Sequence, residues 1–372
     1  MKKSRLFYTI ASIIIGLLIG SIILLVNHTN PIEAYKIIIL GSVGKPKFLG
    51  WSIVRATPII MTGISVAFAF RTGLFNIGAE GQFIFGGIVA ALLGAFVDLP
   101  PVIHPIVCIA GGILAGAIWG GIVGLLKARF GINEVISSIM FNWVAFYLNN
   151  YLLGFEKIRK PATDYSYPVK DTARIELLRG WKYSDQGMNF LSGHKAIRGF
   201  LNAPVHWGIF FAIIVAICAW YVLKHTTLGY QLRAVGFNKD AAEYGGIDIK
   251  KNTMKAMIIA GAISGLAGAC SMLGESGQMV LLGGQQGYGF DGMSVALIAA
   301  NNPILCIPAG FLFAALNYGG TKLTILPNTY SEITKVVIGL IVYSIAMPNL
   351  LDIIQNFLFR NNKKTIKEAS HE

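Results

Sequence analysis

Glu80 and Asp291 are the residues whose types and setting could do chemistry in this chain. Each is an acid inside a largely apolar stretch, beside a glycine-rich interruption: RTGLFNIGAEGQ (71–82) and GYGFDGMSVAL (287–297). Asn76, Gln82, Asn301 and Asn302 add neutral hydrogen-bonding groups, and Phe75, Tyr288 and Phe290 add aromatic rings. An ionisable group at membrane depth is a functional candidate by default, because it is costly to keep there. A path lined by amides, a few acids and aromatics suits a polar, uncharged, ring-bearing solute, and suits an anion poorly. The opposing reading is local. Each acid stands at a helix start, where a carboxylate caps free N–H groups and complements the helix dipole. One residue can do both.

A second polar constellation is Thr226 to Ile247, TTLGYQLRAVGFNKDAAEYGGI. Arg233, Lys239, Asp240 and Glu243 surround a short Ala-rich helix seed (Asp240 to Tyr244), bounded by Gly236 and by Gly245-Gly246. A connector between two membrane helices needs far fewer polar groups, so the segment reads as a docking surface. Enzyme signals are weak. The chain has no Gly-x-Ser-x-Gly, no His-Glu-x-x-His and no phosphate-binding Gly-x-x-x-x-Gly-Lys-Ser/Thr loop. If ATP drives anything here, another subunit must supply the ATPase. Five histidines fall in loops or tails, His206 opens a span, and none has metal-ligand spacing. Cys108, Cys218, Cys270 and Cys306 sit inside apolar runs and read as small packing residues.

The elements that position these groups are membrane helices. Hydrophobic residues make up 54% of the 372 residues and charged ones only 13%, against about a quarter charged in a soluble domain; the mean hydropathy is +0.61. The apolar runs are continuous and do not alternate, which selects helices over a barrel. At roughly 20 residues per crossing there is room for about ten. The net charge of +13 fits basic cytoplasmic loops better than nucleic-acid binding. The predicted spans are 6–26, 51–70, 77–97, 103–126, 132–153, 204–223, 253–273, 303–320 and 334–354. Thr57-Pro58 reads as the start of a helix. The N-terminal run after MKKSRLF reads as an uncleaved first span, not a signal peptide. Residues 34–44 read as an interfacial or re-entrant helix.

Lys2, Lys3 and Arg5 set the N-terminus inside. Counting crossings then places 154–203 outside, the 224–252 loop inside, and the basic tail (355–372) inside only if Phe290 to Ala300 makes a tenth crossing. Eleven helical residues reach about 16 Å, about half the hydrocarbon core. That segment is therefore expected to be a half-helix completed by irregular backbone at 276–289. The two interruptions suggest an inverted repeat with halves near 51–153 and 253–354, a sequence pointer to a transport path; the alternative is that the glycines merely ease packing. Glu134 reads as a first-turn acid at the inner face. The 154–203 loop reads as a cap on the outer mouth, a surface for an external partner, or a plain solvated loop.

The segments GLFNIGAEGQ (73–82), GINEVISSIMFNW (131–143), LGYQLRAVGFNKDAAEYGGI (228–247) and GYGFDGMSVAL (287–297) together resemble one family over nearly the whole chain. It is the permease subunits of bacterial ABC importers of the ribose/simple-sugar type, within the nucleoside (guanosine-type) branch. The resemblance implies an all-α polytopic protein of about ten transmembrane helices in one membrane domain (1–372), similar to vitamin B12-type importers. It implies a cell-membrane location with both termini cytoplasmic. It also implies a second permease chain, a separate ATPase subunit that binds ATP, and a substrate-binding protein or lipoprotein that delivers a nucleoside. No cofactor is expected in the chain itself, and no nucleic-acid partner. Mapped here, Asn238 to Gly246 is the element that couples to the ATPase, with Arg233, Asn238, Asp240, Ala241, Glu243, Tyr244 and Gly245 in the contact. Simple sugars and then branched-chain amino acids are the next substrates in line. A self-contained secondary transporter is the competing class, and it has no need of a docking helix. A membrane-embedded enzyme is a third class, weakened by the missing catalytic constellation.

Overall fold

The computed structural model describes residues 5–326 and 331–346. The second part of the 334–354 span and the basic tail lie outside these residues. The described chain is all-helical, without strands. In order, the helices are α1 (Arg5–Val26), α2 (Pro31–Val43), α3 (Pro46–Phe70), α4 (Ala79–Phe96), α5 (Ile103–Phe130) and α6 (Glu134–Leu152). Three short helices follow, α7 (Arg179–Lys182), α8 (Asp185–Gly193) and α9 (Lys195–Leu201), then α10 (Gly208–His225), α11 (Thr227–Phe237), α12 (Lys239–Tyr244), α13 (Ile249–Ser271), α14 (Tyr288–Ile298), α15 (Cys306–Gly320) and α16 (Ser331–Ala346).

Among the described residues, α3, α4, α5, α10 and the continuous stretch Ile249–Ser276 are each long and apolar enough to cross a membrane. A sixth crossing is added if Ile14–Val26 and Pro31–Val43, bent by 116° at their junction, count as one span. The protein is a multi-pass helical membrane protein.

Two compact units are present. One is Ser42–Tyr318; the other joins Met1–Gly41 to Gly319–Glu372. In the latter, the Tyr35 hydroxyl donates to the Leu17 carbonyl at 2.7 Å, tying α2 back onto α1. The former carries every candidate site residue. Its centre is α3, whose residues are buried without interruption from Thr57 to Ala69. A helix covered all round belongs at the middle of a bundle. Around it, α4, α5 and α13 approach closely through small residues. Gly112, Gly116 and Gly120 of α5 face Gly261 and Gly265 of α13, where a Cβ on Gly265 would lie 2.8 Å from the Gly116 Cα. Lipid provides no hydrophobic drive between helices, so such backbone contact is what holds them.

Two sequence expectations need correction. Thr57-Pro58 does not start a helix. α3 begins at Pro46, which takes the first-turn position where a missing N–H costs nothing, and Pro58 is interior. The Thr57 hydroxyl donates to Ile53 O (2.9 Å) in the turn before the proline. His104 is not in a loop either. It lies buried in the first turn of α5, its Nδ1 2.8 Å from the Thr172 hydroxyl and its Nε2 3.2 Å from Leu93 O.

Candidate functional site

The first break, between α3 and α4, is closed by Gly73 in the left-handed region (φ 73°) and by the Leu74 N–H donating to Ala69 O. Below this turn the side chains form a sealed polar network. Asn76 and Gln82 exchange two amide hydrogen bonds, each 3.0 Å. The Asn76 amide also donates to the Ser65 hydroxyl, which donates to Ala260 O on α13 (2.6 Å). Asn76, Gln82 and Glu80 are all fully buried. Phe75 is half-buried and meets Phe70 edge to face.

Glu80 does not cap its own helix. Its two carboxylate oxygens accept from the Gly287 and Gly289 N–H groups, each at 2.7 Å, at the N-terminus of α14. A Cβ at Gly289 would strike the Glu80 backbone, so only glycine allows this approach. At the other end of α14, Arg71 donates to Asn301 O (2.9 Å) and Ala300 O (3.4 Å). The half-helix is thus held by an acid at its N-terminus and a base at its C-terminus, the signs its dipole favours. Both come from the 71–82 break. Ala300 and Asn301 complete the stop with left-handed backbone (φ 49° and 57°).

The second break runs from a wide helical turn, Met272–Ser276, through irregular backbone to α14. At membrane depth such backbone needs partners from protein. The 154–203 loop supplies several: Ser166 N–H donates to Met279 O (3.0 Å) and Val169 N–H to Gly277 O (2.7 Å). From α6, Asn149 donates to Val280 O, and Asn150 both donates to Leu282 O and accepts from Leu282 N–H, each at 2.9 Å. The part of the loop near 164–175 is thus hydrogen-bonded to the break.

Arg55 and Glu275, which the sequence reading missed, join a polar cluster beside α14. Arg55 of α3 donates to the Tyr288 hydroxyl (2.7 Å) and pairs with Glu275 (3.2 Å). Thr62 donates to Tyr288 O (2.8 Å), and the Tyr288 ring packs on Phe83. Asp291 accepts from Asn317 of α15 (3.3 Å), and Phe290 is 38% exposed beside it. The signal for Arg55 was present: a lone arginine in the run LGWSIVRATPIIM. It falls inside the predicted 51–70 span, just ahead of the Thr57-Pro58 read as a helix start. Glu275 was hidden as the apparent end of α13.

In the polar loop, α11 and α12 are capped in turn by Thr226, which accepts from Gly229 N–H (3.1 Å), and Asn238, which accepts from Ala241 N–H (3.0 Å). Asp240, Ala241, Glu243 and Gly245 are exposed, and Phe237 and Tyr244 stand 88% and 97% exposed. An open groove of about 580 Å³ runs between α11 and α12, lined among others by Tyr230, Phe237, Asn238, Ala241 and Gly245. Arg233 turns back to Gly229 O of its own helix (3.4 Å). Asp248 caps α13 through Lys251 N–H (2.9 Å); that bond and the nearby Lys251 ammonium hold its carboxyl below the usual range. Gly236 of α11 sits directly on the Arg71–Gly73 turn, with no room for a side chain. The loop therefore touches the segment that clamps α14.

Residues 49–346 match the family described as branched-chain amino acid transport system / permease component. The chain is 35% identical to the guanosine ABC transporter permease protein NupP of Bacillus subtilis, over 93% of this chain and 94% of that one. It is 31% identical to the nucleoside ABC transporter permease protein NupB of Lactococcus lactis, over 95% and 94%. It is 28% identical to the glucose ABC transporter permease protein TsgB13 of Haloferax volcanii, over 90% and 85%. With its helical bundle, its paired breaks and a match over most of its length, the chain belongs to the branched-chain amino acid transport system permease family.

Proposed function

We propose that the chain is the membrane permease of an ATP-driven importer that carries nucleosides into the cell, and that Thr226–Ile247 couples it to a separate ATPase subunit. One observation carries the coupling: α11 and α12 carry exposed aromatics, while Gly236 rests on the turn whose Arg71 holds the end of α14. A self-contained transporter needs no such docking element. The nucleoside reading is supported by the relatives named for guanosine and nucleoside transport, which align end to end with this chain.

In this reading the chain makes about ten crossings, in an arrangement like that of vitamin B12-type permeases, with both termini cytoplasmic. The halves 51–153 and 253–354 form an inverted repeat. The meeting of the two breaks, with Glu80 of one on the α14 N-terminus of the other, supports it. The permease pairs with a second permease chain and receives solute from a binding protein outside. Phe75, Asn76, Glu80, Gln82, Tyr288, Phe290, Asp291 and Asn301 build the path or its walls. Arg233, Asn238, Asp240, Ala241, Glu243, Tyr244 and Gly245 form the ATPase contact.

Two assays test this. The ATPase subunit is pulled down with wild type and with the double variant Glu243→Arg, Gly245→Arg. Lost association supports coupling through α12; unchanged association and unchanged ATP-driven uptake refute it. Labelled guanosine, ribose and leucine are offered to the partner binding protein; preference for ribose or leucine would replace the nucleoside reading with a sugar or amino-acid one.

A further inference from the structure

α6 carries a polar stripe: Glu134, Ser138, Asn142 and Asn149 stand four, four and seven residues apart, the spacing that lines one side of a helix. The stripe touches both breaks. Asn142 donates to Ile77 O in the first break (3.1 Å) and accepts from the Gly81 N–H (2.8 Å), one of the donors that the first turn of α4 leaves open. A Cβ on Gly81 would lie 2.9 Å from the Asn142 Oδ1, so α6 seats directly on this turn. Asn149 and Asn150 hold the second break through Val280 O and through Leu282 O and N–H. The inner end of α6 is held by charge. Glu134 pairs with Lys127 at the end of α5 (2.7 Å), both largely shielded from solvent. Lys239 of α12 attracts the same carboxylate. Lys127 and Lys239 line one open groove of about 570 Å³, together with Glu243 of α12 and Lys250 of α13. One helix thus has its inner end beside α12 and its side on the two interruptions.

We propose that α6 carries the motion of α12 to both breaks, with Glu134 as the positioning residue that receives it through Lys239. The proposal rests on the ATPase-coupled reading and goes beyond it by naming the element that moves. Lys127 belongs to α5, which is locked to α13 by glycine contacts, so its hold on Glu134 is fixed. Lys239 belongs to an exposed six-residue helix, so its pull on Glu134 changes when α12 shifts. Packed helices shift as rigid elements, and a displacement of the inner end moves the asparagines with it. Asn150 lies about 24 Å along α6 from Glu134, sixteen residues at 1.5 Å each. This route reaches the break that leads into the N-terminus of α14, while Gly236 and Arg71 reach the C-terminal end of the same half-helix.

The test uses proteoliposomes that hold the complete importer with its binding protein. ATP hydrolysis and uptake of labelled guanosine are measured together for wild type, Lys239→Ala, Glu134→Gln and the double variant, and ATPase co-purification is checked for each. Lys239 is exposed and Glu134→Gln keeps the side chain's shape, so both variants should assemble. Each single variant is expected to keep the ATPase and hydrolyse ATP while guanosine imported per ATP falls about fivefold, the reach of one partly exposed ion pair. The double variant should fall no further than the worse single one, because Lys239 acts through Glu134. Asn150→Ala, at the other end of α6, should lower the same ratio with the ATPase still bound. Falls that multiply in the double variant overturn the proposal, as does an unchanged ratio in any single variant. Loss of the ATPase from Lys239→Ala makes that lysine a docking contact and overturns it too. Wild type whose uptake needs no ATP overturns the import reading itself and the proposal with it.

Discussion

Replacing Glu80 tests the central clamp of the fold. Its two oxygens each accept a backbone N–H at 2.7 Å, from Gly287 and Gly289, in a fully buried setting. A hydrogen bond to a charged group contributes about 1.5–3 kcal/mol, and leaving a buried N–H without a partner costs about as much. Glu80→Ala removes both acceptors at once, so the expected loss is about 3–6 kcal/mol. At roughly 2 °C per kcal/mol for a chain of this size, the apparent melting temperature in detergent falls by about 6–12 °C. Glu80→Gln keeps one acceptor but turns an NH₂ toward the other N–H, so about half that fall is expected. Asp291→Asn is the control, because Asp291 accepts one 3.3 Å bond from a side chain and caps nothing in the backbone. It should change the melting temperature by less than about 2 °C. The assay is thermal unfolding of the purified permease followed by the loss of its monodisperse peak. Equal, small shifts for all three variants would refute the claim that Glu80 holds α14.

Three further outcomes follow from the same contacts. Arg71→Ala frees the C-terminal end of α14 from the turn beneath Gly236; ATPase association should persist while ATP-driven uptake falls about tenfold, the effect of losing about 1.4 kcal/mol of coupling. Tyr244→Ala, at a fully exposed aromatic on α12, should leave the melting temperature unchanged and weaken ATPase binding about 30-fold in a pull-down titration, as a hot-spot residue of about 2 kcal/mol would. Asp248 has a folded-state pKa below its unfolded value, so its contribution is complete above the unfolded value and is lost as pH falls through the folded one. Asp248→Asn should therefore melt below wild type at pH 7, with the gap closing as acid carries the pH below the folded value, in a thermal scan across pH.

Helix positions were legible because apolar runs and their lengths are local. The shortness of FDGMSVALIAA marked α14 as a half-helix, and the structure ends that helix at Ile298 after eleven residues. The glycine content of 71–82 marked a break, found between Phe70 and Ala79. The α12 helix was likewise readable from its Ala-rich seed, and the structure adds the Asn238 cap before it. What escaped were pairings between distant segments. Nothing local in Glu80 says that its partners are Gly287 and Gly289, more than two hundred residues away, because proximity across a bundle depends on how helices cross. Arg55 was lost for a different reason. Pro58 carried a strong local signal for a helix start, and Pro46, with equal claim, stood twelve residues earlier. Steric room at Gly116 and Gly265 was also invisible as packing until the two helices were seen in contact.

The central claim is that this permease moves a nucleoside only when an ATPase drives it through the Thr226–Ile247 loop. The most direct measurement is uptake of labelled guanosine into proteoliposomes carrying the complete importer, with the binding protein outside and ATP inside. The account predicts uptake that needs both ATP and the ATPase subunit and is lost in the Glu243→Arg, Gly245→Arg variant. Guanosine uptake driven by an ion gradient, without ATP or the ATPase, would contradict it.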